Sequence, residues 1–163
     1  MEFVLQANSI SFFMKLEDEI RQTKPFSSER EKLAVNLIFT TMWLASFHRD
    51  FLKEYQISEQ QYNILRILRG QHPKAATIHL LKERMLDKMS DASRLVERLL
   101  KKEFVERCPC HHDRRAVDVV ISKKGLALLN KIDKKRTTLE KFLSNLSDKE
   151  ILLLNVLLDK LRG

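Results

Sequence analysis

Between residues 90 and 102, Ala92, Leu95, Val96 and Leu99 fall at i, i+3, i+4 and i+7. At about 100° per residue these four make one apolar stripe along a helix. The same rotation places Ser90, Arg94, Glu97, Arg98 and Lys101 on the opposite face. A helix buried on one side, with arginines and small hydroxyls on the other, presents a polar surface outward. Upstream, Thr77 is placed to cap a helix over residues 78–85, and residues 86–89 make a turn. Downstream, residues 104–107 and 116–121 read as strands, with Cys-Pro-Cys-His-His-Asp-Arg-Arg between them as the loop of a hairpin. Helix, turn, helix and a charged two-stranded wing describe a winged helix-turn-helix, here spanning residues 56–122.

The residues also resemble a known family. The run Met89-Ser-Asp-Ala-Ser-Arg-Leu-Val-Glu-Arg-Leu-Leu-Lys-Lys102, then Phe104-Val-Glu-Arg107, Asp113-Arg114-Arg115 and Ile121-Ser-Lys-Lys-Gly125, is similar to the MarR family of bacterial transcription regulators. Asp-Arg-Arg in the wing, followed by a strand and a Ser/Thr-x-x-Gly helix start, is the most specific part. One position departs from the pattern. The family usually has Gly after the second helix, where this chain has Glu103. Gly adopts a left-handed conformation there freely and Glu does so only at a cost. The resemblance implies a homodimer on a palindromic DNA site and a small aromatic ligand that changes the spacing of the two reading helices.

Three Gly and three Pro in 163 residues leave little room for long loops, and 44% hydrophobic residues can supply a core. A formal charge of +8 favours a polyanionic partner, with nucleic acid ahead of an acidic membrane surface. No targeting segment is evident at the start. The longest apolar run, residues 151–158, is broken by Asn155 and is too short to span a bilayer. Two Cys in one loop do not make a secreted disulfide framework. These features predict a cytoplasmic protein with no membrane association. No Gly-rich phosphate loop, nucleophile motif or paired-carboxylate arrangement is present, so neither an enzyme nor a bound cofactor is expected.

The flanks read as helical. Residues 9–21 form a first piece ended by Pro25, and Ser28-Glu-Arg-Glu31 is a capping box opening a helix to about Tyr55. Its apolar residues cover more than one side. Ser58-Glu-Gln-Gln61 is a second capping box, and Gly70 stands where a left-handed C-cap is wanted. Ser122 caps a long helix to about Leu143, and Ser147-Asp-Lys-Glu150 opens a closing helix to Leu161. Leucine nearly all the way round that last helix implies burial on nearly all sides, most simply by a second copy of the chain. The expected fold is therefore mainly α. A winged helix-turn-helix with a two-stranded wing is flanked by dimerisation helices at 1–55 and 123–163, the first also linking to the DNA module.

Arg94 is the first candidate for base contact, because arginine reads guanine O6 and N7 through two parallel hydrogen bonds. The alternative is pairing along its own helix with Asp91 or Glu97. Ser90 and Ser93 are candidates for phosphate or base contact, with simple capping as the alternative. Arg98, Lys101 and Lys88 suit phosphates. Arg114 is the candidate for the minor groove, where narrow A·T tracts concentrate negative potential. By resemblance, Asp113 with Arg115 shapes the wing. Trp43, Phe47, His48, Phe51 and Tyr62 could line a mostly apolar pocket for an aromatic carboxylate or phenol, or could be ordinary core. Cys108 and Cys110, beside His111 and His112, are either inert wing residues, redox-sensing thiols that would need an intermolecular or mixed disulfide or, least well spaced, metal ligands. The reading is a sequence-specific regulator of transcription, most often a repressor. The alternatives are a nonspecific architectural DNA binder and a protein-interaction dimer that has kept the fold.

Overall fold

A computed structural model describes residues 14–109, 117–135 and 140–163. The elements, in order, are α1 (Leu16–Glu19), α2 (Glu29–Lys53), α3 (Glu59–Gln71), β1 (Ala76–Thr77), α4 (Ile78–Arg84), α5 (Ala92–Lys101), β2 (Val105–Pro109), β3 (Val117–Ile121), α6 (Lys123–Lys134), a 3-10 turn at Lys141–Leu143, and α7 (Asp148–Arg162). The chain divides into two compact units, 1–44 and 45–163, with the division inside α2.

In the first unit, the described part of the expected 9–21 helix is the single turn α1, and Arg21 leaves it at φ 52°. Lys32 pairs with Glu17 at 2.6 Å. The start of α2 is capped differently from the simple box. The Ser28 hydroxyl accepts from the Glu31 N–H at 3.2 Å, but the Glu31 carboxylate turns to Ser27, accepting from its N–H at 2.7 Å and its hydroxyl at 2.6 Å. Two adjacent serines compete for one carboxylate, and the earlier one wins.

The second unit holds the core. Ile64, Leu65 and Leu68 of α3 meet Leu81 of α4, Met85 just beyond it, and Ala92, Val96 and Leu99 of α5. Val105, Val119 and Ile121 close this cluster from the sheet, and Leu129 and Ile132 from α6. Each fully buried side chain of this size contributes roughly 1.5–3 kcal/mol, so α5 is held mainly by its apolar stripe. The Ser58 box forms in full, with Gln61 N–H on the Ser58 hydroxyl and Ser58 N–H on the Gln61 side-chain oxygen Oε1. Arg69 of α3 and Asp133 of α6 add a half-sheltered ion pair at 2.5 Å.

Two expectations are corrected, and a third strand joins the wing. Gly70 is not a left-handed cap: α3 runs through it to Gln71 and ends before Pro73. The sheet has three strands in the order β1-β3-β2, because Ala76 and Thr77 pair with Val119 and Asp118. Two residues are too few to reveal alternation, so β1 left no sequence signal. Thr77 serves both structures, since its hydroxyl also accepts from the Leu80 N–H at 3.0 Å and caps α4. The helix after Ser122 stops at Lys134 instead of running to Leu143, where the chain makes a 3-10 turn. The expectation for the last helix is not overturned: α7 buries none of its residues within this chain, and Leu152 is 67% exposed, which leaves its leucines for a partner surface.

The turn between α5 and β2 is where Glu103 replaces the usual glycine. Glu103 lies at φ 62°, in the left-handed region. The Phe104 N–H donates to the Leu99 carbonyl at 3.0 Å and the Glu103 N–H to the Leu100 carbonyl at 2.9 Å. That pair of bonds is a Schellman motif, in which a left-handed residue satisfies carbonyls at a helix end. The side chain is anchored by Lys124 at 2.6 Å, whose ammonium holds the Glu103 carboxyl below its ordinary range. Nearby, Gly125 has a different role. A Cβ there would lie 2.2 Å from the Phe104 carbonyl oxygen, so strand entry and helix start touch through bare backbone.

Two expected outcomes follow from this corner. Gly125→Ala lowers the unfolding free energy by about 2–4 kcal/mol, measured by urea denaturation; an unchanged midpoint would contradict the close approach. Glu103→Gly removes the left-handed penalty and loses only an exposed ion pair. It raises the thermal midpoint by roughly 2–4 °C; a lower midpoint would mean that Lys124 outweighs the backbone strain.

Candidate nucleic-acid interface

The rotation of α5 is fixed by its buried stripe, and the opposite face is what remains. Ser93, Arg94, Glu97, Arg98 and Lys101 are all exposed. Asp91, not Ser90, caps the helix, its Oδ1 accepting from the Arg94 N–H at 3.0 Å. That oxygen therefore holds the backbone of Arg94 and not its guanidinium. Glu97 is taken by Arg107 of β2, which donates to it. Both local partners considered for Arg94 are engaged elsewhere. Among the described residues, Arg94, Arg98 and Lys101 form no ion pair. A shallow groove of about 320 Å³ runs beside Ser90, Asp91, Arg94 and Arg98, with Ser58 and Gln60 of the α3 start across it.

The turn ahead of α5 is organised by Asp87. Its Oδ1 accepts from the Met89 N–H at 3.0 Å and its Oδ2 from the Ser90 hydroxyl at 2.7 Å. The Ser90 hydroxyl first, then the Met89 N–H, hold the Asp87 carboxyl below its ordinary value. The proton of Ser90 is thus committed inward, leaving the hydroxyl lone pairs for other donors. Met89 is 93% exposed at the mouth of the reading helix. Lys88 donates back to the Glu83 carbonyl at the end of α4. The Leu86 N–H donates to the Asn63 side-chain oxygen Oδ1 at 2.9 Å and ties the turn to α3.

The wing strands pair from Val105↔Ile121 to Pro109↔Val117. Cys108, half-buried in β2 opposite Asp118, is a free thiol. Cys110, His111, His112, Asp113, Arg114 and Arg115 lie outside the described residues.

His48, Phe51 and Tyr62 come together on the wall of a cleft of about 480 Å³; Trp43 and Phe47 are not among its lining residues. Leu52, Met85 and Leu86 add apolar surface, and Glu59, Asn63, Arg66 and Asp87 add polar groups. The sequence reading missed the polar set. The signal was present, since Glu59, Tyr62, Asn63 and Arg66 fall at i, i+3, i+4 and i+7 on α3 and share one face. No helix among the described residues is long and apolar enough to cross a membrane.

Comparison with known proteins agrees with this geometry. Residues 57–117 match the sequence pattern of the MarR family. Comparison with curated protein sequences gives no match. Among solved structures, a cysteine-to-serine variant of MarR from E. coli complexed with operator DNA is similar at TM-score 0.73 and 23% identity, covering 86% of this chain and 100% of that one. A MarR transcription factor from Planctomyces limnophilus gives 0.64 at 26% identity, over 83% and 98% of the two chains. BpsR from Bordetella bronchiseptica, whose DNA binding is regulated by 6-hydroxynicotinic acid, gives 0.68 at 18% identity, over 82% and 100%. With α5, the wing strands and the core in place over the matched residues, the chain has the winged-helix fold, and its residues 57–117 match the MarR family.

Proposed function

We propose that this protein is a sequence-specific regulator of transcription that binds duplex DNA as a homodimer on a palindromic operator and represses by blocking promoter access. The observation that carries the reading is the outward face of α5. Arg94, Arg98 and Lys101 stand exposed and without ion pairs among the described residues, while Glu97 is paired with Arg107 and Asp91 caps the helix through the Arg94 N–H. Unpaired guanidinium groups on a rigid helix suit direct readout, since no internal bond has to be broken before contact. Ser93, Lys88, Arg98 and Lys101 would position the helix on phosphates, and Ser90, whose proton goes to Asp87, would accept from a base amino group. Arg114 would add minor-groove contact, with Arg115 and Asp113 shaping the wing. The similar MarR structure holding operator DNA supports the same use of this fold.

Dimerisation is supported by α7. Leu153, Leu154, Val156, Leu157 and Leu161 are all exposed in the single chain, and contiguous apolar surface of this kind marks an interaction site. A twofold axis through the terminal helices would set two copies of α5 about one duplex turn apart. The His48, Phe51 and Tyr62 cleft is the proposed effector site. Its lining includes Leu86 and Asp87, so a ligand there would touch the turn that leads into α5.

Arg94→Ala should weaken specific binding by about 1–3 kcal/mol and leave nonspecific binding nearly unchanged, measured by fluorescence anisotropy at matched salt. Equal loss on specific and random duplexes would reassign Arg94 to phosphate contact, and no loss on either would remove it from the interface.

A further inference from the structure

The cleft beside the reading turn has a charge balance that selects its occupant. Arg66 is its one arginine, and that group is engaged within the wall. Its Nη1 donates to the Tyr62 hydroxyl at 2.9 Å, and the guanidinium lies 5.7 Å from the Tyr62 ring centroid. The two carboxylates, Glu59 and Asp87, form no ion pair among the described residues. Glu59 Oε1 is fully sheltered from solvent and has no hydrogen-bond partner. A carboxylate with one oxygen removed from water and unpaired carries a desolvation cost that a cation beside the group would offset. Asp87 accepts from Met89 and Ser90 and also meets the Gln60 side chain, so a further donor there would displace one of these. Phe51, Tyr62 and Leu86 supply flat and apolar surface for a ring. The wall sets two carboxylates against one guanidinium and so stays net negative; an aromatic carboxylate would add to that charge, whereas an ammonium would reduce it.

We propose that this cleft takes an aromatic compound bearing an amine or amidine group, its ring on Phe51 and Tyr62 and its cationic donor toward Glu59 and Asp87. The inference rests on the reading of the cleft as the effector site and assigns the chemical class that site accepts. A donor at Asp87 competes with the Ser90 hydroxyl for the carboxylate that shapes the turn before α5, which gives the ligand a direct path to the DNA-reading helix.

Tyramine and 4-hydroxyphenylacetate, which share a phenol ring and carry opposite charges, test this by titration calorimetry on the full chain at one ionic strength. The expected result is that tyramine binds at least about tenfold more tightly than the acid, and that Glu59→Gln, which keeps the shape of the side chain, removes about tenfold of tyramine's affinity. The acid binding as well as the amine, tyramine binding unaffected by Glu59→Gln, or neither probe binding at millimolar concentration would each overturn the proposal. Binding of the same preparations to the DNA upstream of the gene, without either probe, separates the two readings. DNA binding without amine uptake removes only the ligand assignment. Amine uptake without DNA binding removes the operator and keeps the preference of the cleft.

Discussion

Burial of Ala92, Val96 and Leu99 against α3, α4 and the sheet is the interaction on which the rest of the site depends. Those three side chains fix the rotation of α5 about its own axis, and that rotation decides which residues are exposed. A turn of one residue would swing Arg94 by about 100° and bury charge in place of Val96. Asp91 then fixes where the helix begins, and the Schellman turn at Glu103 fixes where it ends. The Gly125 contact with Phe104 sets the entry to β2 against the start of α6. Local chemistry therefore leaves the reading helix little freedom of register or orientation.

Much of this was legible in the residues because it depends on short-range rules. The stripe on α5, the Ser58 and Ser147 capping boxes and the Thr77 and Ser122 caps are all set by neighbours within four positions. Features decided by distant partners were not legible. β1 exists only because β3 offers it an edge. Gly70 looked like a terminator, but α3 continued one residue past it, since Gly is merely unfavourable inside a helix. Arg94 could not be placed from its own helix alone, because the partner that takes Glu97 is Arg107, ten residues on and in the sheet. The cleft was half visible: its aromatics were picked out by type, while Glu59 and Asp87 read as a helix-start acid and a turn residue.

The exposed leucines of α7 and the unpaired cations of α5 are opposite answers to one problem. Each is surface left unsatisfied by the chain itself, apolar in one case and charged in the other. A second copy suits the first and a polyanion suits the second. The cleft next to the α5 turn is the third such surface, with a sheltered carboxylate oxygen in place of a free cation.

The central claim is that two copies of α5 read sequence together. Its most direct test is a footprint on the DNA upstream of the gene at about physiological salt, beside a shuffled duplex of equal length and composition. The account predicts a protected, twofold-symmetric site on the natural duplex, with half-sites about one helical turn apart and no discrete protection on the shuffled one. Equal protection of both duplexes would contradict it and leave a protein that holds DNA by charge alone.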